Sequence, residues 1–321
     1  MDRRDALWAL LALGGSPALG QLPARVTRIG YLGVTSAARH ATSLAAFRAG
    51  LRDLGYVEGN NLIIEFRWAE NNYDRLPALA VELASLNVAV IVTHSDGGAR
   101  AAAQATATIP IVVAAFGDAT SVDRVASLAR PGGNMTGLTF FSPEINAKRL
   151  EVLKEAFPRI RRIGVLSISG RQGTTGPTIE AAAKSLKLEL QQFELKGPNE
   201  FESAFTAMTQ RGIKAASIVD NPILINNAAA VAGIAVAHRI PTIGFVEFAE
   251  EGGLLAYGVN FPAMFRRAAV FVDRILKGTK PGDLPIEQAT KFDLIVNQKT
   301  ATALGLTIPQ ALLLRADKVI E

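Results

Sequence analysis

From residue 27 onward, short apolar runs alternate with longer stretches whose apolar residues recur three and four positions apart. The short runs predict strands over 27–33, 61–67, 88–93 and 110–115, and the periodic stretches predict helices over 43–54, 74–85, 97–107 and 121–129. Alternation of this kind implies a parallel sheet covered by helices on both faces. In the first helix Leu44, Phe47, Leu51 and Leu54 make one stripe, and Gly55 suits a left-handed cap. The run Pro131-Gly132-Gly133-Asn134 breaks the pattern, and Met135–Phe140 then crosses to a second lobe. That lobe predicts strands over 162–168, 189–195, 215–219 and 241–246, with helices over 178–188, 200–211 and 224–238. The segment 252–260 carries a short strand suited to a second crossing. A helix over 262–277 packs back on the first lobe, and prolines at 281 and 285 precede a strand over 292–296.

The two halves share more than a rhythm. Arg28-Ile29-Gly30-Tyr31-Leu32 returns as Arg162-Ile163-Gly164-Val165-Leu166, the run from Val88 to Thr93 returns from Ala215 to Asp220, and Ile109-Pro110-Ile111 returns as Ile240-Pro241-Thr242. The offset of about 130 residues is domain-sized, far longer than a solenoid period. The expected fold is α/β: two Rossmann-like lobes with parallel sheets, joined by a three-stranded hinge. The expected boundaries are 26–139 plus 256–284 for lobe one and 140–255 plus 285–321 for lobe two. Two such lobes facing each other enclose a cleft, and a cleft suggests a small-molecule ligand.

Composition narrows the classes. With 49% hydrophobic and 20% charged residues, the chain has the make-up of a globular protein with a large core. A net charge of +5 could signal nucleic acid, but the basic residues form only short pairs such as Arg161-Arg162 and Arg266-Arg267, so no nucleic-acid partner is expected. The absence of cysteine removes disulfides, thiolate metal sites and a cysteine nucleophile. The three histidines, His40, His94 and His238, lack metal-ligand spacing, and no P-loop, GxGxxG or GxSxG motif is present. The reading is a binding protein, not an enzyme, with no cofactor and no metal, acting as a monomer.

The N-terminus reads as an address. Arg3-Arg4 precede the eight-residue apolar run from Ala6 to Leu13, then Gly14-Gly15-Ser16-Pro17, then Ala18-Leu19-Gly20. Eight residues are too few to span a bilayer core of about 30 Å, so residues 1–20 are expected to be a signal peptide cut after Gly20. Either the general secretory or the twin-arginine route would fit. Without cysteine there is no lipid anchor, and the expected location is the periplasm.

In open parallel sheets ligands bind beyond the carboxyl ends of the strands. The loops there offer Thr35 and Ser36 in lobe one, with Ser169 in the Ser167–Gly176 loop as their lobe-two counterpart. They also offer Thr93, Ser95 and Gly97 opposite Asp220 and Asn221, and Asp118 opposite Phe245. Backbone N–H groups near Gly97, with the Ser95 hydroxyl, suit a carboxylate, while Asp118 and Asp220 suit an ammonium group. Asp96 reads as a helix cap. Phe116, Phe245 and Tyr257 are candidates to stack on an apolar side chain. Together these groups suit a zwitterion.

The stretches IGYL (29–32), FRAGLRDLGYVEGNNLIIEFRWAENNYDRLPALAVEL (47–83), LARPGGNMTGL (128–138) and the tail from Gly252 to Pro309 resemble bacterial ABC transporter substrate-binding proteins of the tryptophan/aromatic amino acid type. The resemblance covers nearly all of the chain after residue 28. It implies a periplasmic-binding-protein-like fold of type I, an amino acid or aromatic amino acid-like ligand, and delivery to an ABC permease in the inner membrane. The family's Gly-Asp-Pro stands here as Gly117-Asp118-Ala119, and Gly244-Phe245 stands where Tyr-Gly is common, which implies a pocket of different shape. A ligand sensor presenting its closed form to a membrane receptor would use the same two lobes. A permease and ATPase encoded alongside would favour transport.

Overall fold

The computed structural model describes residues 26–169 and 177–321; the expected signal peptide and most of the Ser167–Gly176 loop lie outside them. Five strands, β1 (Thr27–Gly33), β2 (Leu62–Trp68), β3 (Ile91–Thr93), β4 (Ile111–Phe116) and β5 (Met135–Thr139), begin the first sheet. Five more, β6 (Arg162–Ile168), β7 (Glu189–Leu195), β8 (Ala215–Ile218), β9 (Thr242–Gly244) and β10 (Leu255–Gly258), begin the second. Then β11 (Glu287–Gln288) returns to the first sheet, while β12 (Asp293–Asn297) and β13 (Lys318–Ile320) complete the second. The sheet orders are β11-β5-β4-β3-β1-β2 and β13-β12-β10-β9-β8-β6-β7. All pairings are parallel except β10 with β12.

The duplication read from the sequence is visible in these orders, since 2-1-3-4-5 of the first sheet is matched by 7-6-8-9-10 of the second. Matched glycines sit at matched places. An added Cβ at Gly30 would meet Leu83 at 3.2 Å, and one at Gly164 would meet Met208 at 3.2 Å, so each central strand is pressed against a covering helix.

Among the described residues twelve helices flank the sheets: α1 (Ala41–Asp53), α2 (Leu76–Ser85), α3 (Ser95–Ala105), α4 (Ser142–Ala156), α5 (Pro177–Ser185), α6 (Phe201–Gln210), α7 (Pro222–Ile225), α8 (Ala228–Ala237), α9 (Val246–Glu250), α10 (Phe261–Leu276), α11 (Gln298–Leu304) and α12 (Gln310–Arg315). The α1 stripe buries Leu44, Phe47 and Leu51, and Gly55 follows with φ 89°. Helix α10 packs on α1 so closely that a Cβ at Gly50 would lie 2.5 Å from the Arg266 carbonyl oxygen. Gly50→Val should therefore force the two helices apart and lower stability by about 1–3 kcal/mol in thermal unfolding. An unchanged midpoint would refute the close approach.

Several elements depart from the sequence expectation. The helix expected over 121–129 is a single 3-10 turn, Ala119–Ser121, because the Asp118 carboxylate accepts from the Thr120 N–H and hydroxyl and closes a local turn there. The helix expected over 224–238 is split at Asn227, whose side chain donates to the Ile223 carbonyl at 2.7 Å. Helix α4 was not foreseen, since its buried face includes Asn146 and Arg149 and so blurs the apolar stripe. Sheet pairing also moves the boundaries: β10 lies wholly in the second sheet and β11 in the first, so membership changes after Gly258 and after Gln288, not at 256 and 285. With the passage from β5 into α4, the chain crosses between lobes three times. Among the described residues no helix is long and apolar enough to cross a membrane.

Candidate functional site

Between the lobes lies a cavity of about 640 Å³. Its walls are the segments that leave the carboxyl ends of matched strands: Arg39 to Ser43 after β1, His94 to Asp96 after β3, Gly117 and Asp118 after β4, Asp220 after β8 and Glu247 after β9. Placement there follows from the parallel run of β1, β3 and β4 in one sheet and of β8 and β9 in the other, whose carboxyl ends open on the cavity. Phe140, Phe261 and Phe265 give the cavity an apolar side, where Phe140 and Phe261 meet edge to face at 5.2 Å beside two of the crossings.

Beneath Phe265 two histidines stack, with ring centroids 4.5 Å apart and planes 12° from parallel. His40 Nε2 is 2.8 Å from the Tyr31 hydroxyl, and His94 Nε2 accepts the Val34 N–H at 3.3 Å, which assigns the His94 proton to Nδ1. Burial pushes His40 down to about 4, and burial together with the neighbouring His40 holds His94 well below the usual imidazole range. Both rings are neutral near pH 7, a packed pair where the sequence showed two unrelated histidines.

The polar side is acidic. Asp96 is buried, and its Oδ1 accepts the N–H groups of Gly117 at 2.9 Å and Asp118 at 3.3 Å, tying the loop after β4 to the start of α3. Across the cavity, Asp220 is held in a two-pronged ion pair by the fully buried Arg149, with Nη1 to Oδ2 at 2.7 Å and Nη2 to Oδ1 at 2.9 Å. Arg149 also donates from Nε to the Tyr257 carbonyl and from Nη1 to the Ile218 carbonyl and Asn146. Side-chain hydrogen bonds reach from lobe to lobe. Arg39 Nη1 donates to the Asn226 carbonyl at 2.6 Å and to Asn227 Oδ1 at 2.7 Å, and Asn221 Nδ2 donates to the Tyr73 hydroxyl at 3.4 Å.

The residues expected from the sequence fall into three groups. Ser95, Asp118 and Asp220 line the larger cavity. Gly97, Ser169 and Asn221 line a neighbouring space of about 390 Å³, and Ser95 Oγ accepts from the Gly98 N–H, which occupies part of the helix start expected for a carboxylate. Thr35, Ser36, Thr93, Phe245 and Tyr257 line neither space. Thr93 donates to the Leu32 carbonyl, Phe245 is buried against Phe248, and Tyr257 stacks on Phe292. Phe116 is likewise core. These aromatics sit at strand ends but point into packing, which period-two alternation cannot settle for strands buried on both faces. Sequence reasoning missed Arg39, Arg149, Glu247 and the histidine pair. Glu247 lies two residues past Phe245, the residue that the sequence offers for stacking.

Known proteins resemble this chain in sequence and in fold. The family described as ABC transporter substrate binding protein matches residues 34–320. The chain is 26% identical over 264 residues to the tyrosine-binding protein of Clostridioides difficile (strain R20291), covering 81% of this chain and 75% of that protein. Its structure superposes on a conserved domain protein from Vibrio cholerae with a TM-score of 0.85 at 26% identity, covering 92% of this chain and all (100%) of the other. It also superposes on the ABC domain of a Streptococcus pneumonia protein in complex with L-Trp, with a TM-score of 0.83 at 25% identity over 92% and 99% of the two chains.

Proposed function

The chain belongs to the ABC transporter substrate-binding protein family and has that group's type I periplasmic-binding-protein-like fold, and from this premise we propose that it is the solute-binding subunit of an importer. Its ligand is a small zwitterion, an amino acid or aromatic amino acid-like compound, on which the two lobes close before handing it to an inner-membrane permease. It works as a monomer in the periplasm after removal of residues 1–20. The observation that carries this reading is the cavity itself, fed by loops from both lobes, with aromatic rings on one side and carboxylates on the other. A volume of about 640 Å³ is in the range of ligand pockets, about 300–1,000 Å³, and holds an aromatic amino acid.

Trp68 supplies a reporter. Its ring lies 6.0 Å from His40, which lines the cavity, and it is the one tryptophan left once Trp8 is removed with the signal peptide. With Trp68 excited at the red edge of its absorption, where tyrosine does not absorb, adding L-tyrosine or L-tryptophan analogues that do not fluoresce should shift Trp68 emission and raise the unfolding midpoint. A panel of amino acids, short peptides and aromatic acids in the same thermal assay tests the class. If no amino acid raises the midpoint while another class does, the zwitterion reading fails.

A further inference from the structure

Glu247 opens α9 on the second-lobe wall of the cavity, and its Oε2 is shielded from solvent yet accepts no hydrogen bond among the described residues. A buried carboxylate oxygen without a donor carries its desolvation cost uncompensated, and such a group in a native protein calls for an explanation. The neighbours do not supply one. Asp220 and Glu250 add like charge, and the nearby cation Arg149 gives both of its Nη groups to Asp220. Glu250 is itself paired with Lys318. Burial first, with these two acids adding to it, pushes Glu247 up to about 7 against the opposing pull of its own backbone N–H and of Arg149.

The first lobe carries a matching group. Asp96 spends Oδ1 on two backbone N–H groups and, like Glu247, lines the cavity. Burial raises it to about 6 against the opposing pull of those N–H groups and of Arg100, with Asp118 adding a small like charge. Two carboxyl groups from opposite lobes thus line one cavity, and Oε2 of Glu247 is shielded with no donor among the described residues.

We propose that Glu247 is the specificity-determining acceptor for the ligand's ammonium group, with Asp96 as its complement from the first lobe. An ammonium offers three donors and so can reach acceptors on both sides of the cleft at once. It would supply the donor that Glu247 Oε2 lacks and favour the ionised form of both carboxyls, so binding drives protons off them. The proposal rests on the amino acid ligand argued above.

Calorimetric titration of L-tryptophan and L-tyrosine at about pH 6, where both carboxyls are partly protonated, tests it. The native protein should release protons on binding, seen as heat that changes with the ionisation enthalpy of the buffer. Glu247→Gln, which keeps size and removes charge, should weaken binding about tenfold or more and lose part of that buffer dependence. Glu247→Asp should retain more of both. Indole-3-propionate and 3-(4-hydroxyphenyl)propionate, which lack the ammonium, should bind the Gln variant no worse than the native protein. Asp96→Asn provides the same readout should Glu247→Gln fail to fold. The proposal is overturned if the native protein binds either amino acid and these variants bind it equally well with unchanged buffer dependence. If the native protein binds neither amino acid, the amino acid reading falls first and this assignment with it.

Discussion

Replacing Arg149 with Ala should destabilise the protein by about 3–5 kcal/mol, the cost of leaving a buried partner charge uncompensated. Asp220 would lose both of its hydrogen bonds from the guanidinium, and the Tyr257 and Ile218 carbonyls would each lose a donor. Denaturant unfolding measures the effect as a lower midpoint. Arg149→Ala combined with Asp220→Asn should cost less than the sum of the two single changes, because the pair acts as a unit. A loss below about 1 kcal/mol in the single variant would mean that water or a rearranged neighbour replaces the arginine. The ion pair also changes what Asp220→Ala should do. If Asp220 served only as an ammonium acceptor, that substitution would weaken ligand binding alone. With Arg149 fully buried behind it, it should lower stability as well, by stranding a guanidinium.

The second large effect concerns pH. His40 has a folded value of about 4 against an ordinary 6.5, so the folded state binds fewer protons there than the unfolded chain. Its contribution is complete above pH 6.5 and is lost as pH falls through that window toward 4, on the order of 3 kcal/mol in all, with His94 acting in the same direction. Asp96 and Glu247 work oppositely. Their folded values, about 6 and about 7, lie above their ordinary ones, so their contribution is complete at acid pH and is lost as pH rises through 6 and 7. The native protein should therefore show a shallow stability profile between pH 4 and 7, the product of two opposed slopes. His40→Asn should remove one rising component and tilt the profile toward falling with pH, and Glu247→Gln should tilt it the other way. Chemical denaturation across this range reads both slopes. If the two variants change the slope in the same direction, the assignment of opposed groups is wrong.

Much of the fold could be read from the chain because its signals are local. The strands β1 and β6 fall on 27–33 and 162–168 as expected, since each is an apolar run bounded by polar residues. The cleft followed from the repeat. What escaped was tertiary in origin. Helix α4 turns Arg149 inward to meet a carboxylate on β8's outgoing loop, and no periodicity reports a partner that far along the chain. The histidine pair forms only when the loop after β1 is laid beside the loop after β3. Ser95, Asp118 and Asp220 could be placed at the cleft because strand ends are predictable, but whether Phe245 or its neighbour Glu247 lines the cavity depends on where β9 stops. It stops at Gly244, two residues before the expected end, and α9 begins at once.

The three crossings bear on how the molecule comes together. Helix α10, which covers α1, and β11, which closes one edge of the first sheet, both follow the last parallel strand of the second lobe. The second lobe in turn waits for β12 and β13 at the end of the chain. Neither lobe is finished by its own consecutive stretch of sequence, so a growing chain cannot complete the first lobe and then the second. Contacts this distant along the sequence form late and slowly. Both halves must mature together, once the segment through β13 is available, and the interlobe cleft is assembled in the same event as the cores that flank it.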